Sequence, residues 1–115
     1  MSDLSVESRV EDDQVIVTTD GYINNTAADS IAKVCVEHLS SGSRQFILNL
    51  ELSRIINSIG ISILIEVIEQ VREAEGEVAF CHVTPTIEKT FKIMGLLNTS
   101  SVHATEADAR SHLAR

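Results

Sequence analysis

Between Phe46 and Leu50 the chain reads Phe-Ile-Leu-Asn-Leu, apolar at every position but Asn49, and this run constrains the fold more than any other. A strand with one wet face alternates apolar and polar residues, whereas one that is apolar nearly throughout must be covered on both faces. Phe46 to Leu50 is therefore expected as a central strand of a sheet flanked by helices. A helix follows at once. Beyond the small polar turn Asn57-Ser58-Ile59-Gly60, residues Gly60, Ile63, Leu64, Val67, Ile68 and Val71 recur at three- and four-residue steps. Ser62, Glu66, Glu69 and Glu73 mark the opposite face, so the spacing predicts a helix to about Ala74, stopped by Gly76.

The same alternation extends in both directions. Leu4 to Val10 and Val15 to Thr19 read as strands joined by a turn at Asp12-Asp13, a hairpin at the edge of the sheet. Gly21 bends the chain, Asn24 or Asn25 offers a helix N-cap, and Ala28, Ile31, Ala32, Cys35 and Leu39 define a first helix ended by Ser41-Gly42-Ser43. Val78 to Cys81 is a short buried strand. Pro85 opens a third helix with Ile87, Phe91 and Met94 on one side and Gly95 at its end. A strand near Val102 to Ala104 and a helix from about Thr105 complete the chain. The strand-helix-strand units call for right-handed crossovers and a mixed or mostly parallel sheet. The expectation is an α/β fold, one domain over residues 1–115, with four to five strands and about four helices.

Composition narrows the partners. A net charge of −8 argues against the phosphate backbone of nucleic acid and against an anionic membrane surface. No apolar run approaches the roughly 20 residues of a membrane span, so no membrane insertion is expected and a cytoplasmic protein is. Cys35 and Cys81 lie in apolar periodic segments without CxxC spacing and read as buried thiols. His38, His82, His103 and His112 lie on two helices and two strand ends, without HxH or HExxH spacing, so neither a metal nor another cofactor is indicated. Neighbouring strand residues point to opposite faces, so Cys81 and His82 cannot act as nucleophile and base. The isolated glycines form no phosphate-cradling loop. No catalytic constellation emerges, and an enzyme is not expected.

What remains is Ser58, which can either cap the helix or carry a switchable charge. At about 100° per residue, the buried stripe of that helix centres on Gly60, Leu64, Val67 and Val71, with Ile61 and Ile65 on a flank. These two either widen the core contact or form a docking patch beside Ser58.

From Phe46 to Val71, a strand, a turn of the form (Asp/Asn)-Ser-x-Gly and an aliphatic helix resemble the STAS domain of anti-sigma factor antagonists. The resemblance extends to Gly21-Tyr22-Ile23 before the first helix, to Thr84-Pro85 with Phe91 and Met94-Gly95-Leu96, and to the tail from Val102 to Leu113 with Thr105-Glu106-Ala107-Asp108-Ala109. It implies a partner-switching protein, which when unmodified binds a serine kinase that doubles as anti-sigma factor. Phosphorylation of the serine matching Ser58 releases that partner, and a metal-dependent serine phosphatase restores the binding form. The partner surface would comprise Asn24, Asn25, Asn57, Ser58, Ile59, Ile61, Ser62 and Ile65. Two positions depart from the family pattern, since Asn57 and Asn49 stand where aspartates are usual. The other reading is a constitutive STAS scaffold or accessory subunit of a signalling or transport complex, with Ser58 only a helix cap. A homodimer through the apolar flank of the second helix stays open.

Overall fold

The computed structural model describes residues 5–115. Strands β1 (Ser5–Glu11) and β2 (Gln14–Asp20) form the hairpin, followed by α1 (Asn25–Ser40), β3 (Gln45–Leu52), α2 (Ser58–Glu73), β4 (Glu77–Cys81), α3 (Pro85–Met94), a 3-10 turn (Leu96–Asn98), β5 (Ser101–His103) and α4 (Glu106–Leu113). Leu4, read from sequence as the start of the first strand, lies outside the described residues. The strands order as β1-β2-β3-β4-β5 in one mixed sheet. β1 runs antiparallel to β2, and β2 to β5 are parallel. The expected α/β fold is therefore present, with β3 at the centre of the sheet.

The hairpin turn takes left-handed φ at both Asp12 (52°) and Asp13 (68°), the conformation whose twist matches that of the flanking strands. Because β3 is central, its residues serve two cores. Phe46, Leu48 and Leu50 join Val15, Val17, Val78 and Phe80 beneath α1 and α2, with Ile87 and Phe91 of α3 in the same cluster. Ile47 points the other way, with Ile16, Ala79 and Cys81, onto Ala109 and Leu113 of α4. Phe80 and Phe91 meet with ring centroids 4.9 Å apart, which anchors α3 despite the shortage of aromatic residues. Met94, assigned from sequence to the buried side of α3, is exposed because the helix ends there and only Ile87 and Phe91 reach the sheet.

A second difference concerns the end of α2. Sequence makes Gly76 the stop, but the left-handed residue is Glu75 (φ 67°). The Glu75 N–H donates to the Arg72 carbonyl and the Gly76 N–H to the Val71 carbonyl, 2.8 Å each, closing the last turn. Glycine is required at 76 for space, since a Cβ there would lie 2.4 Å from the Arg44 carbonyl oxygen and 2.8 Å from a Val71 methyl. The two positions therefore respond in opposite directions. Gly76→Ala should lower unfolding free energy by about 1–3 kcal/mol through overpacking, whereas Glu75→Gly should raise it by up to about 1 kcal/mol by relieving the left-handed backbone. Urea denaturation of the two variants measures both, and equal or reversed effects would contradict this account of the turn.

Candidate functional site

The parallel strands all end on one edge of the sheet, and each following helix begins there with a side-chain cap. Asn24 Oδ1 accepts from the Ala27 N–H, Asn57 Oδ1 from the Gly60 N–H, Thr84 Oγ1 from the Ile87 N–H and Thr105 Oγ1 from the Asp108 N–H. Two of these helix starts are tied to each other. The Ile23 N–H donates to the Ile55 carbonyl at 2.9 Å and the Asn57 N–H donates back to the Ile23 carbonyl at 3.2 Å, an isolated parallel bridge between the segments entering α1 and α2. One turn earlier, the Gly21 N–H donates to the Leu52 carbonyl at 3.0 Å. Asn24 and Asn25 are thereby brought beside Asn57 and Ser58, although more than thirty residues separate them along the chain.

Gly60 makes this closeness achievable. A Cβ at that position would stand 2.8 Å from the Ile23 carbonyl oxygen, the atom that accepts from Asn57. The glycine of the Asn-Ser-x-Gly motif is thus fixed by the approach of a neighbouring backbone rather than by an unusual φ.

The capping geometry removes one of the two roles that sequence leaves to Ser58. Asn57 is the N-cap, with extended backbone (φ −94°, ψ 173°) and a 2.7 Å bond to the Gly60 N–H. Ser58 is the first helical residue and is exposed, so the capping role falls to its neighbour. The Ser58 and Ile59 N–H groups have no backbone partner among the described residues. They are the unsatisfied donors that give a helix N-terminus its affinity for negative charge. Ser62, one turn on, is also exposed and its hydroxyl donates to the Ser58 carbonyl at 3.1 Å.

The apolar part of the surface differs from the sequence reading. Ile61 is only 3% exposed and belongs to the core with Ala27, Ala28 and Ile31 of α1, while Ile65 is half-buried against the same core. The flank carrying Ile61 is covered because α2 packs on α1 as well as on the sheet. Ile61 therefore leaves the candidate surface. Ile59 stays on it at 57% exposure, joined by Ile55 at 62% and Tyr22 at 46%, both in the segments linked by the bridge. The helical stripe could not reveal Ile55 and Tyr22 because they precede the helices. The sequence pairs each with an apolar neighbour, Tyr22 with Ile23 and Ile55 with Ile56, and does not say which member of each pair turns inward.

Asn49 lies elsewhere. Its side chain points to the α4 side of the sheet, where Nδ2 donates to Glu106 Oε1 at 3.3 Å and Oδ1 accepts from the Glu51 N–H at 3.0 Å. A carboxylate at 49 would face Glu106 across this contact, and the amide turns that repulsion into a hydrogen bond. Both cysteines are buried, and burial pushes each thiol up to about 12, in Cys81 with help from Glu106 and Glu51. They are inert at neutral pH. His103 and His112 are brought together, ring centroids 4.6 Å apart, with His112 Nε2 3.0 Å from Glu77 Oε2. Burial first, and His112 second, hold His103 below the usual imidazole range. Among the described residues, no group of three His, Cys, Asp or Glu is placed to hold a metal ion, and no helix is long and apolar enough to cross a membrane.

Residues 5–109 match the family model described as the STAS domain. The chain belongs to the STAS domain family. A curated relative, the putative anti-sigma factor antagonist BtrV of Bordetella bronchiseptica, is 26% identical over 87 residues, 76% of this chain and 75% of the relative. Among solved structures, a putative anti-sigma factor antagonist of Thermotoga maritima superposes with a TM-score of 0.87 at 18% identity, covering 96% of this chain and 95% of the other. The Bacillus cell fate determinant SpoIIAA in its phosphorylated form superposes with a TM-score of 0.74 at 21% identity, covering 97% and 99%. This STAS domain therefore shares its fold with anti-sigma factor antagonists and carries an exposed serine at the first position of α2.

The separation of cap from hydroxyl has a direct consequence for stability. Asn57→Ala should cost about 0.5–2 kcal/mol through loss of the cap, while Ser58→Ala at an exposed first-turn position should change stability by no more than about 0.5 kcal/mol. Thermal and urea unfolding of the two variants side by side checks the assignment. A larger loss at Ser58 than at Asn57 would return the capping role to the serine.

Proposed function

We propose that this STAS domain is an anti-sigma factor antagonist in a partner-switching pathway. It binds a serine kinase that is also the anti-sigma factor while Ser58 is unphosphorylated, is released when that kinase phosphorylates Ser58, and is returned to the binding form by a serine phosphatase. The observation that carries the reading is the exposed Ser58 hydroxyl, relieved of capping by Asn57. Around it, Asn24, Asn25, Asn57, Ile59, Ser62 and the half-buried Ile65 from the sequence reading, with Ile55 and Tyr22 added, give a partner surface of apolar side chains set among small polar ones. Further support comes from the relative named an antagonist and from the likeness in fold to a protein solved in a phosphorylated form.

The physics of release is local. A phosphoserine brings about 1.5–2 negative charges at neutral pH. At the start of α2 that charge meets unsatisfied N–H groups and the positive end of the helix dipole, worth roughly 0.3–1 kcal/mol in favour of the helix. The fold tolerates the group. A partner that had packed on a neutral hydroxyl between Ile55 and Ile59 would instead have to bury an unpaired charge, at a cost of about 2–5 kcal/mol.

Intact-mass spectrometry with site mapping on the protein from its native host, in growing and in stressed cells, tests the reading. A single phosphate on Ser58 whose occupancy changes with condition is the expected result. With the co-purifying kinase in hand, Ser58→Ala should bind it at near wild-type strength and Ser58→Glu should weaken binding by about 30-fold or more, with Ser58→Glu no less stable to unfolding than the wild type. A Ser58 that is never modified, together with a partner indifferent to Ser58→Glu, would replace the switch with a constitutive scaffold.

A further inference from the structure

β1 is an edge of the sheet, and no described strand pairs with its outer side. The hairpin dictates which backbone groups face outward. Its two-residue turn closes on the pair Glu11–Gln14, a hydrogen-bonded pair, and the antiparallel ladder alternates from there. Ser5, Glu7, Arg9 and Glu11 therefore direct N–H and C=O toward β2, while Val6, Ser8 and Val10 direct theirs away from the sheet. Side chains alternate in the same rhythm. Arg9 and Glu11 lie on the α4 side, bonded to Glu106 and Arg110 respectively, whereas Ser8 lies on the α1 side with its hydroxyl 3.1 Å from His38 Nε2.

Open edges of this kind are templates for another strand. We propose that the occupant is a second copy of this chain, paired antiparallel through β1, with Ser8 opposite Ser8 on a two-fold axis. In that register the outward N–H and C=O of Ser8 pair with those of Ser8 in the second copy, and those of Val6 pair with those of Val10. Glu7 falls opposite Arg9 on both sides of the axis, in the non-hydrogen-bonded positions where cross-strand side chains come closest.

Charge selects this register among the alternatives. An axis through Glu7 or Arg9 sets like charges directly opposite each other, which is destabilising. An axis through Val6 or Val10 shifts the strands so that their ends no longer overlap. Odd shifts place an outward residue against an inward one and form no ladder. The Ser8 axis alone joins full overlap of Ser5–Glu11 to matched charges. A second feature fits the same partner. Val10 is 54% exposed, and in this register it lands on the α1 side opposite Val6 of the second copy. Val6 there lines a cleft of about 370 Å³ with Ser30, Lys33, Val34 and Glu37, so Val10 gains an apolar wall of Val6 and Val34 at the cleft's mouth.

Sedimentation velocity on the full chain over a micromolar to submillimolar series tests the pairing. The wild type should show a concentration-dependent dimer. Glu7→Arg and Arg9→Glu, each of which places like charges opposite, should raise its dissociation constant at least about tenfold. An equimolar mixture of the two should regain the dimer as a heterodimer in native mass spectrometry, because each variant then presents one sign of charge to the other. Ser8→Pro removes an outward N–H without touching the ladder to β2 and should leave a folded monomer by circular dichroism. A wild type that is monomeric throughout, or a dimer that persists in both Glu7→Arg and Ser8→Pro, would overturn the proposal.

Discussion

The candidate site depends on the backbone bridge between Ile23 and Ile56. Helix starts that follow different strands of a parallel sheet share an edge but need not touch. Here the bonds Ile23–Ile55 and Asn57–Ile23 fasten the entrance of α1 to that of α2, and Gly60 is the residue that lets them close. Deeper in the same direction, Ile23 is fully buried, and Thr19 and Ser53 share a buried hydroxyl pair at 2.6 Å. The polar groups of these loops are thus satisfied as they leave the sheet, as buried donors and acceptors must be. The surface carrying Asn24, Asn57 and Ser58 sits on this rigid base.

Much of the fold was legible because its signals were local and redundant. The apolar run at Phe46–Leu50, the Asp12-Asp13 turn and the glycine after α3 each specify one conformation, and neighbouring elements agree with them. The site was legible to a lesser depth. The Asn-Ser-x-Gly turn marks the start of α2, but periodicity along a single helix cannot say how many neighbours cover it. Ile61 lies off the centre of the stripe and is nevertheless buried, because α1 and the sheet flank α2 together. Tyr22 and Ile55 escaped for the opposite reason, since they belong to no periodic segment. Gly76 shows a third limit: sequence identifies a glycine at a helix end, and only packing tells whether φ or space requires it.

The two asparagines singled out in the sequence, Asn57 and Asn49, do different physical work. Asn57 needs one oxygen to accept the Gly60 N–H, and an amide oxygen serves that purpose as a carboxylate would. Asn49 sits on the far side of the sheet, where its amide answers Glu106, itself held by Arg9 of β1. That contact links the β1 edge, the central strand and α4 on the face away from Ser58. The amide at 49 therefore serves a contact with α4 on the face away from the surface around Ser58.

These arrangements bear on how a modified serine could act. A conformational switch requires an element with two packings of similar free energy. The start of α2 offers no second packing among the described contacts: its cap is made, its entering strand is bridged, Gly60 leaves no slack against the Ile23 carbonyl and Ile61 is locked beneath α1. A negative group added at Ser58 would enter a site whose helix already favours it, so it has no reason to melt the turn or to shift α2. The whole effect of such a charge must then fall on whatever lies against the surface, through desolvation and repulsion. On the proposed reading, a well-capped helix start suits that task because the backbone around Ser58 would be the same in free and modified forms, and a partner would sense the added group itself.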